Sequence, residues 1–235
     1  MNRTPSNNEN DRDPHRHAEP KTTGEDSSTT DILHPRRRQQ GGGSVFRAIS
    51  PIYALFYSYQ KRNFRKVLDT ADAALDFRSY RSVVDVGCGT GALASVLHSE
   101  GFLVTGVDVE PTMLHVGASK PENQAICFRQ ESVLEGLRLP DKSHEIALAS
   151  FVAHGLPPNE RRIMYAEMNR IASEYVILHD YNQKRSWFVD IIERLEGGDY
   201  FGFIENVHQE LTQFFGSVQI VPMGVRSHWY VCRTF

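Results

Sequence analysis

The stretch Val83-Val84-Asp85-Val86-Gly87-Cys88-Gly89-Thr90-Gly91-Ala92 does most to narrow the folds open to this chain. Its opening β-branched residues mark a buried strand. Alternating glycines then give a turn that side chains would obstruct. Gly91–Ser99 reads as a helix. Strand, glycine turn and helix in that order open a βαβ unit, the building block of a mainly parallel sheet.

The same alternation continues. Leu103–Val107, Ala125–Arg129, Glu145–Ser150 and Tyr175–His179 read as strands. Helices are expected from Pro111, over Asn159–Ile171 with Ile163, Ala166 and Ile171 on one face, over Trp187–Leu195, and over about Val207–Phe215. The last two strands, Val218–Val221 and His228–Cys232, are separated by only a few residues around Pro222-Met223-Gly224. A parallel crossover needs a dozen or more, so this pair must be an antiparallel hairpin. The expected fold is α/β: a Rossmann-like, seven-stranded, mostly parallel sheet with an antiparallel C-terminal hairpin and helices on both faces.

Ahead of the sheet the texture differs. Residues 1–44 hold four residues of the hydrophobic set (Met1, Ala18, Ile32 and Leu33) and no aromatics, too little to offset the entropy of ordering them. They are expected to be a disordered tail closing in the joint Gly41-Gly42-Gly43. Residues 45–80 are expected to form a helical cap, with Ser50-Pro51 as N-cap and N1 and a helix over about Ile52 to Leu75. Residues 81–235 form the ligand-binding domain. The net charge of −3 disfavours a nucleic-acid partner. No run of 18 apolar residues suggests a membrane span. Cys88, Cys127 and Cys232 are widely spaced without a CxxC pair, which suggests a reducing, cytoplasmic setting and no metal site.

Glycine loops of this kind serve several ligands, and Gly87, Gly89 and Ala92 satisfy a loose dinucleotide fingerprint. Asp85 discriminates among them. A carboxylate two residues before the first glycine would repel the pyrophosphate of NAD, whereas S-adenosylmethionine presents an ammonium and a sulfonium there. Asp108 closes the second strand, where a carboxylate can accept hydrogen bonds from both ribose hydroxyls. Gln130-Glu131-Ser132 follows the third strand, placed to read an adenine edge. Val109 and Met113 are candidates to cover the nucleoside, and Ser150 ends the fourth strand.

With these residues together, the chain resembles the class I S-adenosylmethionine-dependent methyltransferases, most of all the small-molecule branch that shares the ubiquinone and menaquinone methyltransferase domain. The resemblance covers about Ile49 to Phe235 and implies a seven-stranded sheet with a reversed last strand. It also implies that Asp85, Gly87, Gly89 and Gly91 line the methionine portion, that Asp108 binds ribose, and that Glu131 contacts adenine; Cys88, a small residue within the loop, is a further candidate for cofactor contact. The family usually has Asp at that last position, and His144-Glu145 replaces its common Phe-Asp.

Methyl transfer from a sulfonium is an in-line displacement that chiefly needs the acceptor positioned, plus a base where the acceptor must lose a proton. The acceptor should sit beyond the carboxyl ends of the fourth and fifth strands. His154 is the candidate base, and Asp180 and Tyr181 the candidates to orient the acceptor. Asp199-Tyr200 and the aromatics Tyr53, Phe56 and Tyr57 are candidate walls. The fourth strand lacks an Asn/Asp-Pro-Pro-Tyr/Phe signature, which leaves a small organic acceptor as the expected partner. The competing readings are a nicotinamide-dependent oxidoreductase and a non-catalytic S-adenosylmethionine-binding partner protein.

Overall fold

A computed structural model describes residues 42–182 and 199–235, with side chains from Tyr57 onward. The expected helix at Trp187–Leu195 and nearly all of the expected tail lie outside the described residues. Seven strands form one sheet: β1 (Ser82–Val86), β2 (Leu103–Asp108), β3 (Cys127–Gln130), β4 (His144–Ser150), β5 (Ala172–Tyr181), β6 (Gln219–Pro222) and β7 (Ser227–Arg233). Their order is β3-β2-β1-β4-β5-β7-β6. The first five pair in parallel; β7 runs antiparallel to both β5 and β6.

Period-2 alternation along the strands feeds two cores. Val83, Ile146, Leu148, Ile177 and Trp229 face α1 (Gly42–Leu75) and α2 (Ala92–Ser99). Val84, Val86, Ala147, Ala149, Val176 and Leu178 face α4 (Pro158–Ile171) and α5 (Tyr200–Phe215). A helix α3 (Pro111–Ala118) follows β2, its first turn capped by the Glu110 carboxylate, which accepts the Thr112 N–H. Burial on both faces explains why the central strands read as continuous apolar runs.

Three local expectations are corrected. Helix α1 begins at Gly42 and runs through Pro51, so Gly42-Gly43 form its first residues and the expected Ser50-Pro51 start lies in its interior; propagation over the other residues, each adding one bond, carries the helix past these weak formers. Asp76, with φ 50°, then turns the chain out of it. On α4, Ile163 and Ala166 point to solvent, while Met164, Tyr165, Met168 and Ile171 fill the core. The buried stripe thus lies one position along from the one expected.

The order reverses between β1 and β4, because the chain builds outward from β1 on one side and from β4 on the other. Ligands bind at such a switch point, beyond the carboxyl ends of the strands. The glycine loop leaves β1 there, and Phe151–His154 leave β4 beside it.

Candidate active site

The loop after β1 is held by its own chain. The N–H groups of Gly87 and Cys88 both donate to the Val107 carbonyl, at 2.8 and 3.0 Å, and that of Gly91 to the Cys88 carbonyl at 2.9 Å. The Gly89 N–H donates to Asp108 Oδ2 at 2.7 Å. A glycine turn that opens a helix can present free N–H donors to a ligand; here four of them are already taken.

Gly87, Gly89 and Gly91 all have φ between 54° and 72°, a region that favours glycine. Their surroundings differ. A Cβ on Gly87 would lie 2.4 Å from Val152 Cγ2, and one on Gly91 would lie 2.7 Å from the Phe128 ring. At both positions the missing side chain makes room for protein. Only Gly89 faces open space, with no atom within 4 Å of where its Cβ would stand. Gly87 and Gly89 are both expected to line the methionine portion, but at Gly87 it is Val152 that requires glycine.

Asp85 lies beneath this loop, 1% exposed, and its Oδ2 has no hydrogen-bond partner. Burial, with the Asp108 charge adding to it, pushes its pKa up to about 7 against the opposing pull of the Ala94 N–H. A buried orphaned carboxylate oxygen is a strong acceptor without a donor. Asp108 is better satisfied, its Oδ1 taking the Glu110 N–H at 2.9 Å. Burial still raises its pKa, although the N–H groups of Glu110, Gly89 and Val109 oppose this. Two carboxylates and one open glycine thus face the switch point, a site of negative character.

The other candidates fall into place unevenly. Cys88 is buried, its thiol pushed well up by that burial, so it fills space and is no nucleophile. Met113 is buried and Val109 is 61% exposed. Glu131 lies beside Asp108, its N–H donating to the Asp108 carbonyl. Its carboxylate is engaged by Arg129 at 2.7 Å and by the Arg138 N–H at 2.7 Å. Ser132 shapes the next turn by accepting the Leu134 N–H. Ser150 pairs across the β4–β5 ladder with His179, and its Oγ lies 3.1 Å from His179 Nδ1.

The three residues expected to serve chemistry come together. His154, on a short 3-10 turn (Ala153–Gly155), places Nδ1 2.7 Å from Asp180 Oδ1. Asp180 Oδ1 also accepts the Tyr181 N–H, and Oδ2 accepts those of Ala153 and His154. Asp180 thereby fixes both the imidazole and the turn that carries it. The rings of Tyr181, Tyr200 and Phe203 stand 4.8, 6.4 and 6.5 Å from His154. Fully buried Arg161 ties this region together, bonding the Leu156 carbonyl and pairing with Asp199 and Glu210. Tyr57 is elsewhere: its hydroxyl accepts from Asn123, against the loop that precedes β3. It is not part of the acceptor wall, and Tyr53 and Phe56 lie outside the described side chains.

Residues 83–174 match a family model described as a methyltransferase domain. Over those residues the chain is similar to methyltransferase domains. The domain is 47% identical over 57 residues to a protein of Geobacillus sp. (strain WCH70) named as a methyltransferase, covering 23% of each chain. It is 30% identical over 121 residues to the carboxy-S-adenosyl-L-methionine synthase of Chromohalobacter salexigens, covering 46% of this chain and 44% of that one. The chain therefore spans less than half the length of either relative. Human N-acetylserotonin methyltransferase, solved with S-adenosylmethionine, superposes with a TM-score of 0.63 at 15% identity, over 83% of this chain and 59% of that one. Its likeness is one of fold.

Proposed function

We propose that the methyltransferase domain binds S-adenosylmethionine and transfers its methyl group to a small organic acceptor that loses a proton on reaction. The carrying observation is the fully buried Asp85 carboxylate, whose Oδ2 has no partner, beneath a loop in which the N–H groups of Gly87, Cys88, Gly89 and Gly91 are already taken. A pyrophosphate needs the donors this loop has committed and would meet a carboxylate instead, so a nicotinamide cofactor fits poorly. A ligand with a cationic end fits well. Asp85 would neutralise that end, Gly89 would admit it, and Asp108 would accept from the ribose hydroxyls. Val109, Met113, Glu131 and Ser132 would flank the nucleoside.

When bound, S-adenosylmethionine supplies a methyl group on a positively charged sulfur; the chain supplies position and a proton acceptor. Asp180 holds His154 with Nδ1 toward it, so in the neutral imidazole Nε2 carries the basic lone pair. The aromatic rings around His154 exclude water and favour a flat acceptor.

Several wider readings belong to the same proposal. Residues 45–80 act as a cap on the catalytic domain of residues 81–235. A net charge of −3 favours a small acceptor over nucleic acid. Among the described residues no helix is long and apolar enough to cross a membrane. The three cysteines are free, which supports a cytoplasmic setting. Calorimetric titration with S-adenosylmethionine and with NAD(P)H, followed by assay for S-adenosylhomocysteine across phenols, amines, thiols and quinols, tests the reading. Binding of S-adenosylmethionine with product release on a subset of acceptors is expected. NAD(P)H binding with no response to S-adenosylmethionine would overturn it.

A further inference from the structure

Arg161 puts a charge where apolar packing alone would hold two helices together. It is fully buried on α4 and faces α5. Met164, Tyr165 and Met168 of α4 already share one core with Phe203, Ile204, Val207 and Leu211 of α5. Well-packed apolar residues in place of a buried ion pair are often no less stable, so stability alone gives no reason for the arginine. Apolar contact is also non-directional, and by itself it sets the slide and rotation of a helix weakly. A guanidinium, with its donors in a fixed fork, sets them sharply.

The fork spans the first three turns of α5. Nε donates to Glu210 Oε2 at 2.8 Å and Nη2 to the other oxygen of the same carboxylate. Nη1 donates to Asp199 Oδ2 at 2.9 Å and to the Leu156 carbonyl at 2.6 Å, two residues beyond His154.

Two features of α5 are arranged around this contact. Asp199 is its N-cap residue, where an aspartate ordinarily accepts from the N–H groups of its own helix, yet its side chain makes no such bond. The carboxylate reaches Arg161 instead. Gly202 makes room for it: a Cβ there would stand 2.5 Å from Asp199 Oδ1 and 2.7 Å from Oδ2. Glycine is a poor helix former. An unused cap and a glycine within the helix thus share one explanation, the approach of Asp199 to Arg161.

The stretch of α5 held in this way carries the rings around the candidate base. Tyr200 lies 6.4 Å from His154 and 5.2 Å from Tyr181, both edge-on. Phe203 lies 6.5 Å from His154, and the Arg161 guanidinium stands 5.6 Å from the same Phe203 ring. One side chain therefore ties the turn after β4 to the helix that faces it.

We propose that Arg161, through Asp199 and Glu210, positions α5 so that Tyr200 and Phe203 wall the acceptor site beside His154, and that Gly202 serves to admit Asp199 to this contact. Arg161 is a positioning residue, acting through α5. That the walled space takes a methyl acceptor rests on the reading above; the placement of α5 does not.

Gly202→Ala tests this with little risk to the fold. Alanine is the better helix former, and the atoms it displaces are the far end of one flexible side chain. Glu210→Gln, at a side chain 21% exposed, breaks the fork from its other end. The full chain is labelled with ¹³C in its histidine rings, and the His154 signal is assigned by its disappearance in His154→Gln. At pH 8, without ligand, the wild-type signal should be displaced from that of an exposed histidine by the neighbouring rings. In both variants it should move toward the exposed position, while the melting temperature of Gly202→Ala stays at or above that of wild type. S-adenosylmethionine affinity should stay within a factor of about two, and kcat with the best acceptor of the panel should fall roughly ten- to a hundredfold, as misplacement of a bound reactant does. A purely structural helix would instead give Gly202→Ala a raised melting temperature with the His154 signal and kcat unchanged. An unmoved His154 signal in the folded Gly202→Ala protein overturns the proposal, whatever Glu210→Gln does. A signal that moves as expected in a chain that neither binds S-adenosylmethionine nor transfers a methyl group would refute the methyltransferase reading and leave the placement of α5 standing.

Discussion

His154 Nδ1 and Asp180 Oδ1 stand 2.7 Å apart, joining the turn after β4 to the end of β5. Asp180 is 1% exposed and accepts three further main-chain N–H groups, so its position is fixed by backbone before the imidazole is considered. The imidazole is therefore held in one orientation by a carboxylate that the backbone has already fixed.

Asp180→Asn tests this directly. An amide can keep an oxygen toward the backbone donors, but it cannot stabilise an imidazolium. The expected result is a fall in kcat of roughly a hundred- to ten-thousandfold for acceptors that must lose a proton, the usual range for general acid–base help. S-adenosylmethionine affinity should stay within a factor of about two. His154→Gln should fall as far, and the double variant little further, because residues acting as a unit do not add. Steady-state kinetics with the best acceptor from the panel decide it; undiminished kcat in either single variant removes the pair from catalysis.

Asp85 makes both stability and binding depend on pH. Its pKa near 7 in the fold exceeds the ordinary carboxylate value, so between about pH 4 and 7 the folded chain holds a proton that the unfolded chain has released. Its contribution to stability is fully present below that window and is lost as pH rises through 7. Asp85→Asn should remove this slope and stabilise the ligand-free protein at pH 8, by on the order of 4 kcal/mol at most. A cationic ligand reverses the sign, since it selects the ionised form. S-adenosylmethionine affinity should climb up to tenfold per pH unit below 7 and level off above it, with Asp85→Asn flat. His179, pushed down to about 4, acts oppositely, its contribution being lost as pH falls from 6.5 toward 4, so wild type and variant are compared at equal pH. A pH-independent wild-type affinity would separate Asp85 from the ligand.

The three glycines of the loop should behave differently when substituted. A Cβ at Gly89 meets no protein atom within 4 Å, so the fold should survive Gly89→Val with a loss of about 1–3 kcal/mol from its left-handed backbone while S-adenosylmethionine binding disappears. Gly87→Ala meets Val152 at 2.4 Å and should destabilise the protein, with part of the loss recovered by Val152→Ala. Thermal melts read the stabilities and calorimetry the binding. Full affinity in a folded Gly89→Val protein would mean that the loop serves another purpose.

The sheet was legible because its strands are buried on both faces and its glycine turn has few alternatives. The terminal hairpin followed from connection length alone. What stayed hidden depended on partners distant in the chain. Val152 is the reason for Gly87, and Phe128 for Gly91, yet nothing local to the loop encodes either. Arg129 is two residues from Glu131 and so visible to a sequence reading, but the Arg138 N–H that shares its carboxylate arrives through an irregular stretch. On α4 a charged residue, Arg161, occupies the inward face, paired there with Asp199 and Glu210, which a polarity pattern places in solvent instead of Ile163. His179 lies within β5, at the end of the strand expected over Tyr175–His179, and only its buried, unpaired nitrogen singles it out.

The last prediction concerns how far the chain can be shortened from its N-terminus. From Val67 onward α1 is part of the core, with Leu68 and Ala71 buried against α2 and the sheet. Before that point its described contacts are of another kind. Tyr57 accepts from Asn123, Lys61 pairs with Glu122 at 3.0 Å, and Gln60 and Phe64 line a cleft with Phe151 and Met223. Removing residues 1–41 leaves every described element whole, so activity and melting temperature should be unchanged. Removing residues 1–60 takes away Tyr57 and Gln60 but keeps the buried turns of the helix. That protein should fold with a lowered melting temperature, since it loses a buried hydrogen bond of about 1 kcal/mol and a buried aromatic ring. It should retain measurable S-adenosylmethionine binding, because the loop after β1 and Asp108 are untouched, and it should transfer no methyl group. Circular dichroism, calorimetry and product assay together separate the outcomes. An unfolded shorter chain would make the whole helix core structure, and a fully active one would show that neither capping nor acceptor binding needs it.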